Sequence, residues 1–264
     1  MIEMKIGRAG MAGLALAAIV TLTVTDVARA QGGAIQPATL GEPNQKTPEV
    51  TTEDLRRILV DGSAIVLDSR KRSEYVMSHI PGARNVAPTP GAPPSEYVAA
   101  VERLVGGDKT KALVLYCNGP YCQASRRLSE QLVAGGFTNV RRYQLGIPVW
   151  RALGGPTETE LEAVLQVFKL DRTAVFLDGR TAEDFSTGSL AGARNVPVAT
   201  LESGGVQKAF EGGLLPRDDF NTRIVVFGSD AGQARALAEA IARSAFHNVA
   251  YFPGTFETLR MAIK

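Results

Sequence analysis

The sequence predicts an α/β chain of two tandem domains, each a mainly parallel sheet flanked by helices. Three observations predict it. The first is an internal repeat: Ala64 to Arg70 (AIVLDSR) matches Ala174 to Arg180 (AVFLDGR), Glu74 and Tyr75 match Asp184 and Phe185, and Gly82 to Val86 (GARNV) matches Gly192 to Val196, all at one offset of 110. The second is a set of short, continuous apolar runs rich in β-branched residues, the pattern of central strands covered on both faces. The third is the alternation of those runs with helical stretches, which implies strands joined by helical crossovers.

The elements of the first copy follow in order. Thr52 to Val60 reads as a helix, with Leu55, Ile58 and Leu59 at helical spacing behind a Thr-x-x-Asp start. Ile65 to Leu67 and Leu113 to Tyr116 read as buried strands. Ser125 to Ala134 reads as a helix with Leu128, Leu132 and Val133 on one side, and Val140 to Tyr143 as the next strand. The repeat continues through these elements. Leu113 to Cys117 (LVLYC) matches Ile224 to Gly228 (IVVFG) at an offset of 111, and Asn139 and Val140 match Asn248 and Val249 at 109, so the first copy carries two extra residues after Cys117. Each copy spans about 105 to 110 residues, an ordinary domain size. The expected division is a leader over 1–30, a linker over 31–48, a first domain over 49–156 and a second over 157–264.

The leader differs in kind from the rest. Lys5 and Arg8 precede an apolar stretch from Gly10 to Val24, and Ala28, Arg29 and Ala30 precede Gln31. That is a secretory signal pattern, with cleavage expected before Gln31 and a periplasmic or secreted mature chain. The apolar run is shorter than the ~20 residues a spanning helix needs, so no stable membrane anchor is expected after cleavage. The stretch from Gln31 to Glu49, rich in Gly, Pro, Gln and Thr, reads as a flexible linker. Lys plus Arg number 29 against 27 for Asp plus Glu, a net charge of +2 that argues against nucleic acid as a partner.

The chemistry is expected where a strand meets a helix, because ligands of parallel sheets bind beyond the carboxyl ends of the strands. Cys117 ends one such strand and opens the loop Asn118, Gly119, Pro120, Tyr121, Cys122, Gln123, Ala124 and Ser125. Gly119 and Pro120 let the backbone curl, and a curled loop before a helix can aim several amide N–H groups at one anion. A thiol with an ordinary pKa near ~8.5 becomes a thiolate in such surroundings, and the thiolate attacks sulfur. The same amides would hold a persulfide anion, so one site could accept and donate sulfur in two half-reactions without metal or cofactor.

These residues resemble the rhodanese family of sulfurtransferases. The motifs that carry the resemblance are Asp68-Ser69-Arg70 at a strand end, Ser78 to Ala83 (SHIPGA), the strand-end Cys117, and Gly146 to Trp150 (GIPVW), in the order the family uses and echoed in the second copy. The resemblance implies sulfur transfer through a Cys117 persulfide from a small sulfur-containing donor, thiosulfate or another sulfane-sulfur compound, to a thiol or cyanide-type acceptor or an acceptor protein. The loop departs from the family's common pattern, which has an arginine four residues after the cysteine. Here the loop reads Cys-x-Gly-Pro-x-Cys, and the first arginines are Arg126 and Arg127.

Cys117 and Cys122 are the two cysteines of an expected exported chain, so three states stay open: a structural disulfide, a reversible bridge in which Cys122 resolves Cys117, and free thiols. Asp68 and Arg70 either orient the loop or form a structural ion pair. Arg126 is a candidate source of positive potential, and His79 reads as a hydrogen-bonded turn residue. In the second copy Gly228 replaces the nucleophile and Ser189 replaces His79, so that copy is expected to be structural or a binding wall. A second function class remains beside the enzyme: a non-catalytic module that binds a partner, or senses or carries oxidised sulfur through a reversible bridge.

Overall fold

The computed structural model describes residues 35, 37–87 and 89–263; the leader expected over 1–30 lies outside the described residues. The first domain runs α1 (Thr52–Asp61), β1 (Ile65–Asp68), α2 (Arg72–Met77), β2 (Arg84–Asn85), α3 (Pro94–Leu104), β3 (Leu113–Tyr116), α4 (Gln123–Ala134), β4 (Val140–Tyr143) and α5 (Gly146–Ala152). The second runs β5 (Thr157–Glu158), α6 (Leu161–Leu170), β6 (Val175–Asp178), α7 (Ala182–Thr187), β7 (Arg194–Asn195), a 3₁₀ turn (Val198–Ser203), α8 (Gly205–Glu211), β8 (Ile224–Gly228), α9 (Ala231–Arg243), β9 (Val249–Thr255) and α10 (Phe256–Ala262). Every strand pairing is parallel, in the orders β2-β1-β3-β4 and β5-β9-β8-β6-β7. The predicted α/β architecture of two helix-flanked parallel sheets is the observed one.

Alternation along the strands builds a core on each side of the first sheet. Val66, Val114 and Tyr116 pack with Leu55 and Ile58 of α1 and with Ile147 and Trp150 of α5. Leu67, Leu113 and Leu115 pack with Tyr97 and Val101 of α3 and with Leu128 and Leu132 of α4. α1 starts on a capping box in which the Thr51 hydroxyl accepts from the Asp54 N–H (2.9 Å) and the Asp54 carboxylate accepts from the Thr51 N–H (3.2 Å).

The repeat begins one element before α1. Val50 N–H donates to the Arg142 carbonyl (2.8 Å) and Arg142 N–H to that of Pro48 (2.9 Å), which lays residues 48–50 beside β4 as β5 lies beside β9. The segment expected to be a flexible linker is docked from Leu40 onward. The Glu49 carboxylate accepts the N–H groups of Leu40, Gly41 and Glu42 at 2.7, 3.1 and 3.0 Å, and Thr47 is buried against Ser129. Gly and Pro exclude regular structure there, but they do not stop one carboxylate from gathering three amides.

The domains join through β5. His79 and Glu158 exchange two backbone hydrogen bonds (2.9 and 2.8 Å), and the Glu160 N–H donates to Val76 (2.9 Å). Burial alone would raise the Glu158 carboxyl, but hydrogen bonds from His79 Nε2 (3.1 Å), the Gly82 N–H (3.1 Å) and the Tyr251 hydroxyl (2.8 Å) outweigh it and hold the group below its ordinary range. Among the described residues no helix is long and apolar enough to cross a membrane.

Candidate active-site loop

The β3 strand delivers Cys117 to the carboxyl end of the first sheet, one residue beyond Tyr116, whose register partner is Asp68. Cys117 is buried (2% exposed) and forms a disulfide with Cys122, their Cα atoms 6.3 Å apart. Between them the chain turns at Gly119 (φ 105°), whose carbonyl accepts the Cys122 N–H at 3.0 Å. Only glycine takes that φ without strain. Asn118 donates to the Glu74 carboxylate (2.5 Å), and Tyr121 stands 96% exposed at the loop tip.

Two expectations change here. Gln123, Ala124 and Ser125, expected in the loop, form the first turn of α4, because Cys122 has the extended backbone of an N-cap (φ −81°, ψ 112°) and the helix starts directly after it. The sulfur of Cys117, expected as an ionised thiolate among amides, is bonded to Cys122 in this state. Among the described residues no N–H donates to it, as suits a neutral bridged sulfur that has no charge to solvate.

Packing against α5 sets the loop's height over the sheet. The Ile147 N–H donates to the Cys117 carbonyl (3.2 Å), and a Cβ on Gly146 (φ 65°) would lie 2.4 Å from the Gly119 nitrogen and 2.5 Å from the Cys117 oxygen. Gly146 is thus the floor on which the loop rests. The sequence contained a signal for this role: the repeat aligns Gly146 with Thr255, and the glycine belongs to the copy with the longer loop.

Asp68 and Arg70 form a buried latch beneath the loop. Arg70 Nε and Nη2 reach the two Asp68 oxygens at 3.0 and 2.6 Å, and Nη2 also donates to the Ser78 carbonyl (2.6 Å). The Tyr116 hydroxyl donates to Asp68 (2.5 Å), and burial, then the Asp68 charge, raise its pKa well above the usual value. The same latch recurs in the copy that lacks a cysteine. Arg180 reaches Asp178 at 3.0 and 2.7 Å and the Gly188 carbonyl at 2.7 Å. The ion pair that the sequence offered as one alternative for Asp68 and Arg70 is thus present in both copies. One detail differs: Phe227 replaces Tyr116, and the missing hydroxyl comes from Ser189, which donates to Asp178 at 2.6 Å. His79, at the position of Ser189, is freed for the domain junction, with Nδ1 2.9 Å from the Tyr75 carbonyl. Arg126 turns from the loop to Glu42 (3.7 Å) and Glu130 (3.4 Å).

In the second copy Gln233 fills the mouth of the helix. Its side-chain oxygen accepts the Ser229 N–H (2.8 Å), its N–H donates to Asp230 (2.9 Å), and that oxygen lies 2.7 Å from where a Cβ on Gly228 would sit. The amide that could have faced an anion is already satisfied.

The family pattern described as "Rhodanese-like domain" matches residues 51–153 and again 160–261. The HTH-type transcriptional regulator Rv0324 of Mycobacterium tuberculosis is 29% identical over 119 residues, 45% of this chain and 47% of that protein, so the chain spans about half the length of the curated relative it matches. Among solved structures, the rhodanese-like domain of the Anabaena sp. Alr3790 protein is similar at 27% identity, covering 42% of this chain and 79% of that one (TM-score 0.36). SseA of Escherichia coli, a 3-mercaptopyruvate sulfotransferase, is similar at 20% identity over 80% of this chain and 99% of its own (TM-score 0.36). The thiosulfate sulfurtransferase of Pseudomonas aeruginosa is similar at 22% over 87% and 46% (TM-score 0.36). With two matched segments that together span most of its length, the chain belongs to the rhodanese-like domain family.

Proposed function

We propose that this chain is an exported sulfurtransferase that moves a sulfane sulfur from a small donor to a thiol or cyanide-type acceptor through a persulfide on Cys117. One observation carries the reading: in a rhodanese-like domain, Cys117 follows the central strand β3 and is bridged to a second cysteine at the N-cap of α4. Two equivalents of thiol open the bridge, one attacking the Cys122 sulfur so that the electron pair leaves on Cys117, the second releasing Cys122 and departing as the oxidised thiol dimer. The Cys117 thiolate then attacks the transferable sulfur of the donor, and the bond holding it (S–S in thiosulfate or a persulfide, C–S in mercaptopyruvate) breaks with the pair on the leaving group. The acceptor takes that sulfur in turn and returns the pair to Cys117.

The test is to reduce the protein, offer thiosulfate, mercaptopyruvate or glutathione persulfide, and then add cyanide or a thiol. Repeated turnover with a one-sulfur mass increment on Cys117 is expected. Transfer by a Cys117→Ala protein would overturn the reading. The bridge itself favours a second reading, a non-catalytic carrier or sensor of oxidised sulfur. That reading predicts one sulfur taken up per chain without turnover, and loss of the response in Cys122→Ser.

A further inference from the structure

We infer that the cleft between the β1–α2 turn, the segment after β2 and the start of α4 is the acceptor subsite, and that it takes a short peptidic thiol bearing a carboxylate. The inference rests on the proposed transfer through Cys117 and names the acceptor of that site. Ser69 follows Asp68 and its N–H donates to the Tyr116 carbonyl (3.0 Å), so it stands level with Cys117 across the sheet. Ala124 lies in the first turn of α4, directly after the Cys122 cap. Both line one cleft of about 830 Å³, within the size that small-molecule sites occupy.

Three features define the occupant. Lys71 and Arg127 stand exposed at the cleft with no carboxylate partner among the described residues, no acidic side chain lines it, and the third cation, Arg72, is held by Glu160 (2.8 Å). Two free cations call for a carboxylate. Next, Ser69 is 4% exposed and its hydroxyl is buried with no partner, as is the Gln131 side-chain oxygen. The Tyr97 hydroxyl, also buried and unpartnered, lines an adjoining cavity of about 140 Å³ that shares Gln131 with the cleft and also contains Glu96, 3.3 Å from Thr89. Buried polar atoms are normally paired, and the N–H and C=O groups of a peptide would pair these. Finally, Val86, Ala100 and Leu128 give the cleft an apolar floor suited to methylene groups.

The second copy lacks this chemistry together with the nucleophile. The positions aligned with Ser69, Lys71, Arg127 and Gln131 are Gly179, Thr181, Ala236 and Ala240. A Cβ on Gly179 would lie 3.3 Å from Val198 and 3.4 Å from Leu237, so apolar side chains occupy the space onto which Ser69 opens in the first copy. In the transfer step the bound thiolate forms a bond to the outer sulfur of the Cys117 persulfide. The bond from that sulfur to Cys117 breaks, the electron pair stays on Cys117, and the acceptor leaves as a persulfide whose outer sulfur keeps the proton it carried on Cys117.

The test loads reduced protein with sulfur from thiosulfate and follows its single-turnover discharge by glutathione, which has carboxylates, and by cysteamine, which has none. The native chain is expected to prefer glutathione, and a Lys71→Gln/Arg127→Gln variant to lose that preference about tenfold through a higher half-saturating concentration. Equal preference in the two proteins would overturn the subsite. A second measurement keeps the two readings apart: S-methylglutathione, which cannot accept sulfur, is titrated into Cys117→Ser protein. Binding that the double variant loses supports the subsite even if no sulfur is ever loaded, a result that would sink only the transfer reading. No binding to the Cys117→Ser protein overturns the subsite.

Discussion

At residue 117 the first domain has a cysteine whose loop arches over Gly146 and is closed by a bridge to Cys122; at the aligned residue 228 the second has a glycine whose loop is shorter and is closed by Gln233. Beneath both, the Asp–Arg latch is the same to within about 0.1 Å. The two copies therefore differ above the latch, in the residue at the strand end and in what satisfies the helix mouth, and agree below it. A latch common to a copy with a cysteine at the strand end and a copy with a glycine there does not depend on the cysteine. Among the differences between the copies, Cys117, Cys122, Gly146 and the Tyr116 hydroxyl belong to the loop and its support.

The comparison can be broken most severely at the nucleophile. Cys117→Ser is expected to lower sulfur transfer by about 10³-fold or more, with Ser229→Ala leaving turnover unchanged; comparable losses from the two would place chemistry in both copies. Gly228→Cys should form a persulfide poorly, since Gln233 Oε1 would lie 2.7 Å from its Cβ and already takes the Ser229 N–H, and Gln233→Ala should be needed to free that amide. Next come the latches. Asp68→Ala and Asp178→Ala each leave a buried guanidinium unpaired and should each cost about 3–5 kcal/mol in urea unfolding. A large loss in the first domain alone would return Asp68 to the site.

Gly146→Ala should cost about 1–3 kcal/mol from its positive φ and its contact with Gly119, and should lower transfer, whereas Thr255→Gly, which removes a cap to the Thr258 N–H, should cost roughly a few tenths. Circular dichroism melts of the two variants check this. The smallest effect concerns pH. Folding lowers the Glu158 carboxyl, so its hydrogen bonds stabilise the junction above the ordinary carboxylate range, and that contribution fades as pH falls through the folded-state value. A Glu158→Gln protein should be less stable near neutrality and should show a weaker loss of stability on acidification, read from Tm against pH.

Much of the fold was legible along the chain. Apolar runs such as Leu113 to Tyr116 mark strands, Leu55 and Ile58 mark a helix face, and the repeat shows that the pattern serves twice, because strand and helix periodicities are local properties of the chain. The two-residue strands β2 and β7 were not legible, being too short for any periodicity, and α4 begins at Gln123, two residues before the expected start at Ser125. Within the site, the place of Cys117 at a strand end could be read from the residues alone, as could the loss of the nucleophile at Gly228.

Other features needed the chain to meet itself. Periodicity cannot show that the Asp68 carboxylate takes its hydroxyl from Tyr116 in one copy while Asp178 takes it from Ser189 in the other, because the donors come from different elements. Nor can it show that Gly146 carries the loop, that Glu49 docks the preceding segment, or that Lys71 and Arg127 flank one cleft. By itself the sequence determined the elements, their duplication and the position of the thiol, all of which follow from neighbours a few residues apart. The tertiary structure alone decided what each buried polar group bonds to and which residues share a cleft, because burial sets those outcomes between residues distant along the chain.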